Sequence, residues 1–353
     1  MKISIIVPVY NTENTLQETL DSLIEQTHKD IEIICIDDGS SDGSPAILAD
    51  YKKRHPALFT IISQENKGLS ATRNQGISAA KGEILMFVDS DDMLVPHACE
   101  KVNKIMSASK AEVFTFGFKC FPETLTPLGM KKELRPPNKQ YVHYKSCLLF
   151  KDKARPYAWR AAVRKSFLLR EGIFFDEKIL FGEDQVFFFL VYPLSRKTVL
   201  SPDQLYLYRM RPDSLTHTQA ERHRLDQHRK IVSEVLYEWK SRNLSHLSQP
   251  DLLDWIIDFL LYDANRLPPK ERIIFLDELV ADLASYYDRP PIEIASSRTT
   301  RHCLNDIYAT IELRDMNPLL QKAHFAAFYL KRYGLTRCVQ QVLVLLGILK
   351  KWR

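Results

Sequence analysis

Apolar and polar residues alternate in regular blocks along the first 120 residues of this chain. ISIIVPV (residues 3–9) is a short run rich in β-branched residues. Behind it, Leu16, Leu20, Leu23 and Ile24 share one face of a helix predicted over residues 12–26. The pattern then repeats. IEIICID (31–37) precedes a helix at 44–54, FTIIS (59–63) a helix near 69–80, and EILMFVD (83–89) a helix near 96–108, with EVFTFGF (112–118) closing the set. Strand–helix alternation at this spacing predicts right-handed βαβ units and an α/β fold with a mostly parallel, Rossmann-like sheet flanked by helices.

Residues 119–218 are less regular. PETLTPLGMKKELRPPNK (122–139) reads as a long loop, and a helix is predicted near 165–171. A Gly182-Glu183-Asp184 turn opens an apolar helix, and QLYLYRM (204–210) is strand-like. From 219 onward the pattern is helical throughout, broken at Pro250, Pro268-Pro269, Pro290-Pro291, Pro318 and Gly334. Two domains are therefore predicted: an α/β domain over 1–218 and an all-α C-terminal region over 219–353, a plausible domain size.

Composition narrows the class. With 353 residues, 45% of them hydrophobic, the chain can bury a sizeable core. Its six cysteines (Cys35, Cys99, Cys120, Cys147, Cys303, Cys338) are far apart, with no C-x-x-C pair for zinc or redox chemistry, which fits a reducing cytoplasm. The short N-terminal apolar run lacks the features of a secretory signal. The net charge of +5 is unevenly placed: residues 317–353 hold seven Lys/Arg and no Asp or Glu, which leaves the preceding residues at about −2. A basic tail of this kind suits nucleic acid, anionic lipid or water. The stretch KRYGLTRCVQQVLVLLGILKKWR (331–353) is too short in its apolar run to span a bilayer. It reads either as an interfacial helix on anionic inner-leaflet lipid or as a terminal helix packed on the protein. It lacks the aromatic and glycine pattern of an RNA-binding sheet, so nucleic acid is not a predicted partner. Aromatic residues over 237–262 read as core or as a homodimer contact.

In parallel sheets ligands gather at the carboxyl ends of strands, and here those ends are polar: Pro8-Val9-Tyr10-Asn11, Asp37-Asp38-Gly39-Ser40 and Asp89-Ser90-Asp91-Asp92. Three acids within four positions repel one another unless a cation sits among them. A hard divalent ion at a phosphate site is held by one or two carboxylates, which an Asp-x-Asp supplies. The competing reading is a turn with Asp and Ser capping the helix that follows. Asp38 and Gly39 fit either a nucleotide contact or an ordinary turn. In NKGLSATRN (66–74), Gly68 precedes a helix whose Arg73 can reach a phosphate, pin an aspartate, or lie on a solvated face; Asn74 can cap or meet a sugar. G-x-G-x-x-G and the P-loop motif are absent, which counts against dinucleotide and P-loop chemistry.

The ordered array PVYN, IDDGSSDGS, NKGLSATRNQGI, FVDSDD, GED and YLYRMRPDSLT resembles the inverting family 2 glycosyltransferases of the GT-A fold, over residues 1–218. The resemblance implies that Pro8, Val9, Tyr10, Asn11 and Asp38 hold the nucleotide of a sugar-nucleotide donor, with Gly68, Arg73, Asn74, Asp89 and Ser90 beside it. It places Mn²⁺ or Mg²⁺ on Asp91, then Asp89, with Asp92 last in order. It makes Asp184, ahead of Glu183, the general base. At the mouth of an apolar helix, its pKa can be raised by partial burial. Tyr208 and Arg209 would lie over the diphosphate or acceptor. The family often has Trp-x-Lys before the E-D element; here Trp159-Arg160 is followed by Ala161, which leaves Trp159 and Arg160 as tentative acceptor contacts. The resemblance implies a UDP-sugar donor and a glycan or lipid-linked glycan acceptor of cell-surface polysaccharide, capsule or lipopolysaccharide type, worked on in the cytoplasm or on the inner face of its membrane. A metal-dependent nucleotidyltransferase would have no use for the GED and YLYR elements. A non-catalytic nucleotide-sugar scaffold would tolerate Asp184→Asn.

Overall fold

Strand β1 (Ile3–Val9) is buried at every position, and so is β2 (Ile31–Asp37). Uninterrupted apolar runs of this kind suit strands covered on both faces. They pair in parallel, with β3 (Phe59–Ser63) outside β2 and β4 (Ile84–Phe87) on the other side of β1. The computed structural model describes residues 1–126, 134–152, 154–210, 221–247, 249–265, 267–313 and 317–335. Its chain divides into two compact units, Met1–Pro212 and Asp213–Arg353.

In the first unit, helices α1 (Leu16–Ile24), α2 (Ser44–Arg54), α3 (Leu69–Ala79) and α4 (Ala98–Ser109) follow strands as the periodicity predicts. α1 turns Leu16, Leu20 and Leu23 into the core, together with Thr19. α3 lies unusually close to the sheet: a Cβ on Gly76 would sit 2.3 Å from Ile6 Cγ2. That close approach carries the buried face of α3, including Arg73, toward the strand ends.

Beyond β4 the sheet departs from the parallel pattern. The sequence places EVFTFGF next in line, and β6 (Val113–Phe121) does form there. Between β4 and β6, however, lies β8 (Ala161–Arg164), antiparallel to both. Four residues after a short 3₁₀ turn carry no periodicity to read, so only pairing partners define this strand. β9 (Lys197–Arg209) is longer than the predicted 204–210 because it runs through Ser201-Pro202-Asp203, and its parallel register with β6 shifts between Thr115 and Phe118. Two small strands, β5 (Met93–Leu94) and β7 (Lys139–Val142), pair antiparallel to β9 and complete a nine-stranded mixed sheet of order β3-β2-β1-β4-β8-β6-β9-β5. Helices α5 (Ser146–Phe150), α6 (Lys165–Glu171) and α7 (Glu183–Leu194) complete the unit. The segment read as a loop over 122–139 begins with a 3₁₀ turn at Glu123–Leu125; residues 127–133 lie outside the described residues.

The second unit is helical where it is described: α8 (Glu221–Ser241), α9 (Gln249–Ala264), α10 (Pro269–Tyr286), α11 (Pro291–Ile294), α12 (Arg298–Ile311) and α13 (Pro318–Tyr333). The prolines read as breaks open the first turns of α10, α11 and α13, where a missing N–H costs nothing. Trp239, Leu253, Ile256, Leu283 and Leu304 are fully or almost fully buried and form its interior. No helix among the described residues is long and apolar enough to cross a membrane. Most of the 331–353 stretch, from 336 onward, lies outside the described residues, as do 211–216 of YLYRMRPDSLT.

Candidate functional site

The carboxyl ends of β1, β2 and β4 hold the polar clusters. After β1, Pro8 and Val9 are buried while Tyr10 is half exposed. Asn11 takes a left-handed backbone (φ 51°) and bonds the facing loop: its N–H donates to Ser40 Oγ at 3.0 Å, and its Oδ1 accepts from Ser41 N at 2.8 Å. After β2, Asp37 and Asp38 are both buried. Asp38 Oδ1 accepts from Gln64 Nε2 (2.7 Å) and Lys67 N (2.9 Å), and Oδ2 accepts from Gly68 N (2.9 Å). Asp38 therefore shapes the turn into α3, where Gly68 has φ 87°, a conformation that favours glycine.

Arg73 is the centre of the charge arrangement. It is 2% exposed, its Nη1 pairs with Glu183, and its Nη2 donates to Asp89 Oδ1 at 3.1 Å. Its guanidinium carbon lies 5.2 Å from the Phe175 ring centre, over a ring stacked on Phe187 at 4.0 Å. Burial works against its charge, but Glu183, Asp89 and Asp184 outweigh burial and raise its pKa, so it is a fixed cation. Asn74, one residue on, spends its amide on the chain: Nδ2 donates to Phe175 O (2.9 Å) and Glu177 Oε1 (3.0 Å), and Oδ1 accepts from Phe175 N (2.9 Å). That ties α3 to the segment before α7.

Glu183 and Asp184 occupy the first turn of α7, where the helix dipole favours negative charge. Glu183 is buried against Arg73, whereas Asp184 keeps part of its surface open. Burial raises the Asp184 pKa well above the ordinary carboxylate value, and the charges of Glu183 and Asp89 push the same way. Arg73 and the Gln185 amide offset part of the rise.

The three acids of the DSDD run have separate fates. Asp92 is 1% exposed: Oδ2 accepts from Tyr206 OH at 2.8 Å and Oδ1 from Arg209 N at 2.7 Å. Burial, with Asp91 and Asp89 nearby, raises its pKa well above the usual value. Ser90 is buried, and its carbonyl accepts from Thr15 Oγ1. Asp89 and Asp91 remain partly exposed. No group of three or more Asp, Glu, His or Cys side chains is placed to hold a metal among the described residues. Asp89 and Asp91 are hard oxygen groups in the number that Mg²⁺ or Mn²⁺ takes from protein at a phosphate site. By chemistry the pair fits such an ion.

The end of β9 closes over this loop. Arg209 Nε donates to Asp91 O at 2.7 Å, and its Nη2 pairs with Glu18. Tyr208 stacks on Trp159 with ring centres 5.2 Å apart; burial, then the nearby Asp92, Asp89 and Asp91, raises its pKa. Trp159 is itself 8% exposed, sandwiched by Tyr157 and Tyr206. Arg160 is wholly buried, with Nε donating to Phe116 O at 3.1 Å and the guanidinium over Phe118. Its place is interior, which corrects the expectation that it faces an acceptor: a side chain without exposed surface does not meet a soluble partner in this conformation. Tyr206 is the residue that sequence reasoning passed over. It holds both Asp92 and the Asp89 amide, and the alternation in QLYLYR, which puts Tyr206 on the same face as Tyr208, is the signal that identifies it.

Residues 4–167 match the family described as Glycosyl transferase family 2. A poly(ribitol-phosphate) beta-glucosyltransferase of Bacillus spizizenii is 36% identical over 217 residues, covering 60% of this chain and 33% of that protein. Glycosyltransferase GlyG of Streptococcus pneumoniae is 30% identical over 234 residues, covering 62% of this chain and 74% of that protein. Among solved structures, S. aureus TarS 1–349 in complex with UDP-GlcNAc is similar with a TM-score of 0.70 at 21% identity, over 95% of this chain and 92% of that one. The chain spans less than two thirds of the length of the first curated relatives it matches.

Proposed function

Because this chain belongs to glycosyl transferase family 2, we propose that it is a metal-dependent inverting enzyme that moves a sugar from a UDP-sugar to a hydroxyl of a glycan or lipid-linked glycan. The reading that it serves cell-surface polysaccharide assembly draws support from the relative named as a poly(ribitol-phosphate) glucosyltransferase. The UDP-sugar reading draws support from the fold neighbour that holds UDP-GlcNAc. One observation carries the proposal: Arg73 binds Asp89 and Glu183 with a single buried guanidinium, so the Asp-x-Asp loop and the turn bearing Asp184 meet at one point.

Chemistry follows from that arrangement. The acceptor hydroxyl is a poor nucleophile until a carboxylate takes its proton during attack. Glu183 is occupied by Arg73, which leaves Asp184, and its raised pKa makes it a stronger base than an ordinary aspartate. Asp89 and Asp91 would hold Mn²⁺ or Mg²⁺, which when bound supplies positive charge to the departing diphosphate. Tyr10 and Asn11 form an open edge for the nucleoside at the end of β1. A single in-line displacement inverts the anomeric centre. Work on a lipid-linked acceptor places the protein in the cytoplasm, peripheral to the inner face of the membrane through 331–353.

The test is nucleotide release by the purified protein from UDP-, GDP- and dTDP-sugars, with acceptor extract, in Mn²⁺ or in EDTA. Release from a UDP-sugar in Mn²⁺ and its loss in EDTA are expected. No release from any donor would remove the enzymatic reading, and full activity of Asp184→Asn would favour a binding scaffold.

A further inference from the structure

The helical unit contains a cavity of about 740 Å³ between α9, α10, α12 and α13, within the size range of small-molecule sites. Its walls are largely apolar, with Leu276, Ile307 and Phe325 among them. Two cations also line it, Arg272 and Lys322. Arg272 Nε is buried, and no hydrogen-bond partner meets it among the described residues. A buried guanidinium N–H without a partner is costly to leave unmade, which is a reason to look for a missing acceptor. The one lining carboxylate, Asp306, is engaged elsewhere: both its oxygens lie within 3.1 Å of His324 Nδ1. The wall thus offers Arg272 Nε no acceptor, while Lys322, also in the lining, is exposed to solvent.

The rim has a matching character. Leu313 lines the cavity and is 76% exposed. An apolar side chain held in water at the edge of a cavity with apolar walls and a buried guanidinium N–H describes a site for a molecule that is apolar along its length and negative at one end.

We propose that this cavity binds an anionic amphiphile, one alkyl chain bearing a phosphate or carboxylate head, with the head on Arg272 and Lys322 and the chain along Leu276, Ile307 and Phe325. Such a molecule can come from solution as a monomer or from a bilayer as a lipid. The chemistry is shared, and the experiment separates the two sources.

Isothermal titration of the full chain with decyl phosphate, below its micelle concentration, is expected to show one site. Decyltrimethylammonium and inorganic phosphate should bind far more weakly. Arg272→Gln should weaken decyl phosphate binding about tenfold, the size of one lost charge-assisted hydrogen bond, and Arg272→Lys should recover part of it. Circular dichroism shows whether both variants fold. Weaker co-sedimentation of Arg272→Gln than of wild type with phosphatidylcholine vesicles doped with dihexadecyl phosphate assigns the amphiphile to a bilayer, whatever 331–353 contributes to both. Binding of decyl phosphate with equal co-sedimentation of the two proteins assigns it to solution. Equal affinity for inorganic phosphate or for the cationic detergent overturns the proposal, as does an unchanged affinity in a folded Arg272→Gln.

Discussion

Arg73 donates from Nη2 to Asp89 Oδ1 at 3.1 Å while the same guanidinium pairs with Glu183. One buried cation thus sets the spacing between the strand-end acids and the turn that carries Asp184. Removing it leaves Glu183 buried without its counter-charge, so Arg73→Ala should lose about 3–5 kcal/mol of stability. Arg73→Lys keeps the charge but not the planar fork that reaches two carboxylates, and should lose less while still impairing turnover. Urea unfolding with parallel donor-hydrolysis assays checks both; wild-type stability in Arg73→Ala would show that the pairing does not hold the site.

The general-base assignment is tested by pH. Asp184 must be ionised to accept a proton, and its folded pKa lies well above the usual carboxylate value. The rate should therefore rise with pH through that raised pKa rather than level off near pH 4. Asp184→Asn should lower kcat by about 10²–10⁴-fold, retain donor binding and abolish that limb. A pH profile flat above pH 5 would assign the base elsewhere.

The proposed metal role separates the three acids. Asp91→Asn should raise the Mn²⁺ concentration needed for half-maximal turnover, because it removes one of the two partly exposed carboxylates proposed to hold the ion. Asp92→Asn should leave that concentration nearly unchanged, since its oxygens answer Tyr206 and Arg209. A reversed order in Mn²⁺ titrations would exchange the two roles.

Tyr206→Phe deletes the hydroxyl that donates to Asp92 and accepts from the Asp89 amide. Both partners are then left short in a buried place. A loss of about 1–3 kcal/mol is predicted in thermal or urea unfolding.

Glu32 offers a stability test away from the strand carboxyl ends. Its buried carboxylate accepts from Ser4 Oγ at 2.5 Å, Lys81 N at 2.6 Å and Gly82 N at 3.0 Å. Burial alone would raise its pKa, but these bonds and the charge of Lys2 prevail and lower it. With the folded value below the unfolded one, its contribution is complete above the unfolded pKa and is lost as pH falls through the folded pKa. Glu32→Gln should thus be less stable by about 2 kcal/mol at pH 7, with the gap closing below about pH 4. A gap that does not shrink as pH falls below about 4 would mean that packing, not ionisation, carries the effect.

The half of the sheet from β3 to β4 was legible because β1, β2 and β4 are continuous apolar runs and α1 keeps a strict apolar face, both local properties. β8 was not legible: Ala161–Arg164 is four residues long and is a strand only because β4 and β6 lie on either side. The same contrast divides the site. Asp-x-Asp and Glu-Asp at the ends of elements could be read as chemistry from residue type and position alone. What holds each acid could not: residue type and spacing do not show that Asp92 is buried against Tyr206 and the Arg209 amide while Asp89 and Asp91 keep exposed surface.

The sequence by itself determined the strand–helix order, the polar strand ends, the helical C-terminal third and the array that marks the family, since each depends on neighbouring residues or their spacing. Only the tertiary structure decided that Asp92 is a buried acceptor for Tyr206, that Glu183 is spent on Arg73 while Asp184 stays partly open, that Arg160 lies in the interior, and that Asn74 ties α3 to the segment before α7. The reason is physical. Whether a carboxylate binds, reacts or braces depends on its exposure and on the charge opposite it, and those are set by residues up to 117 positions away in the chain.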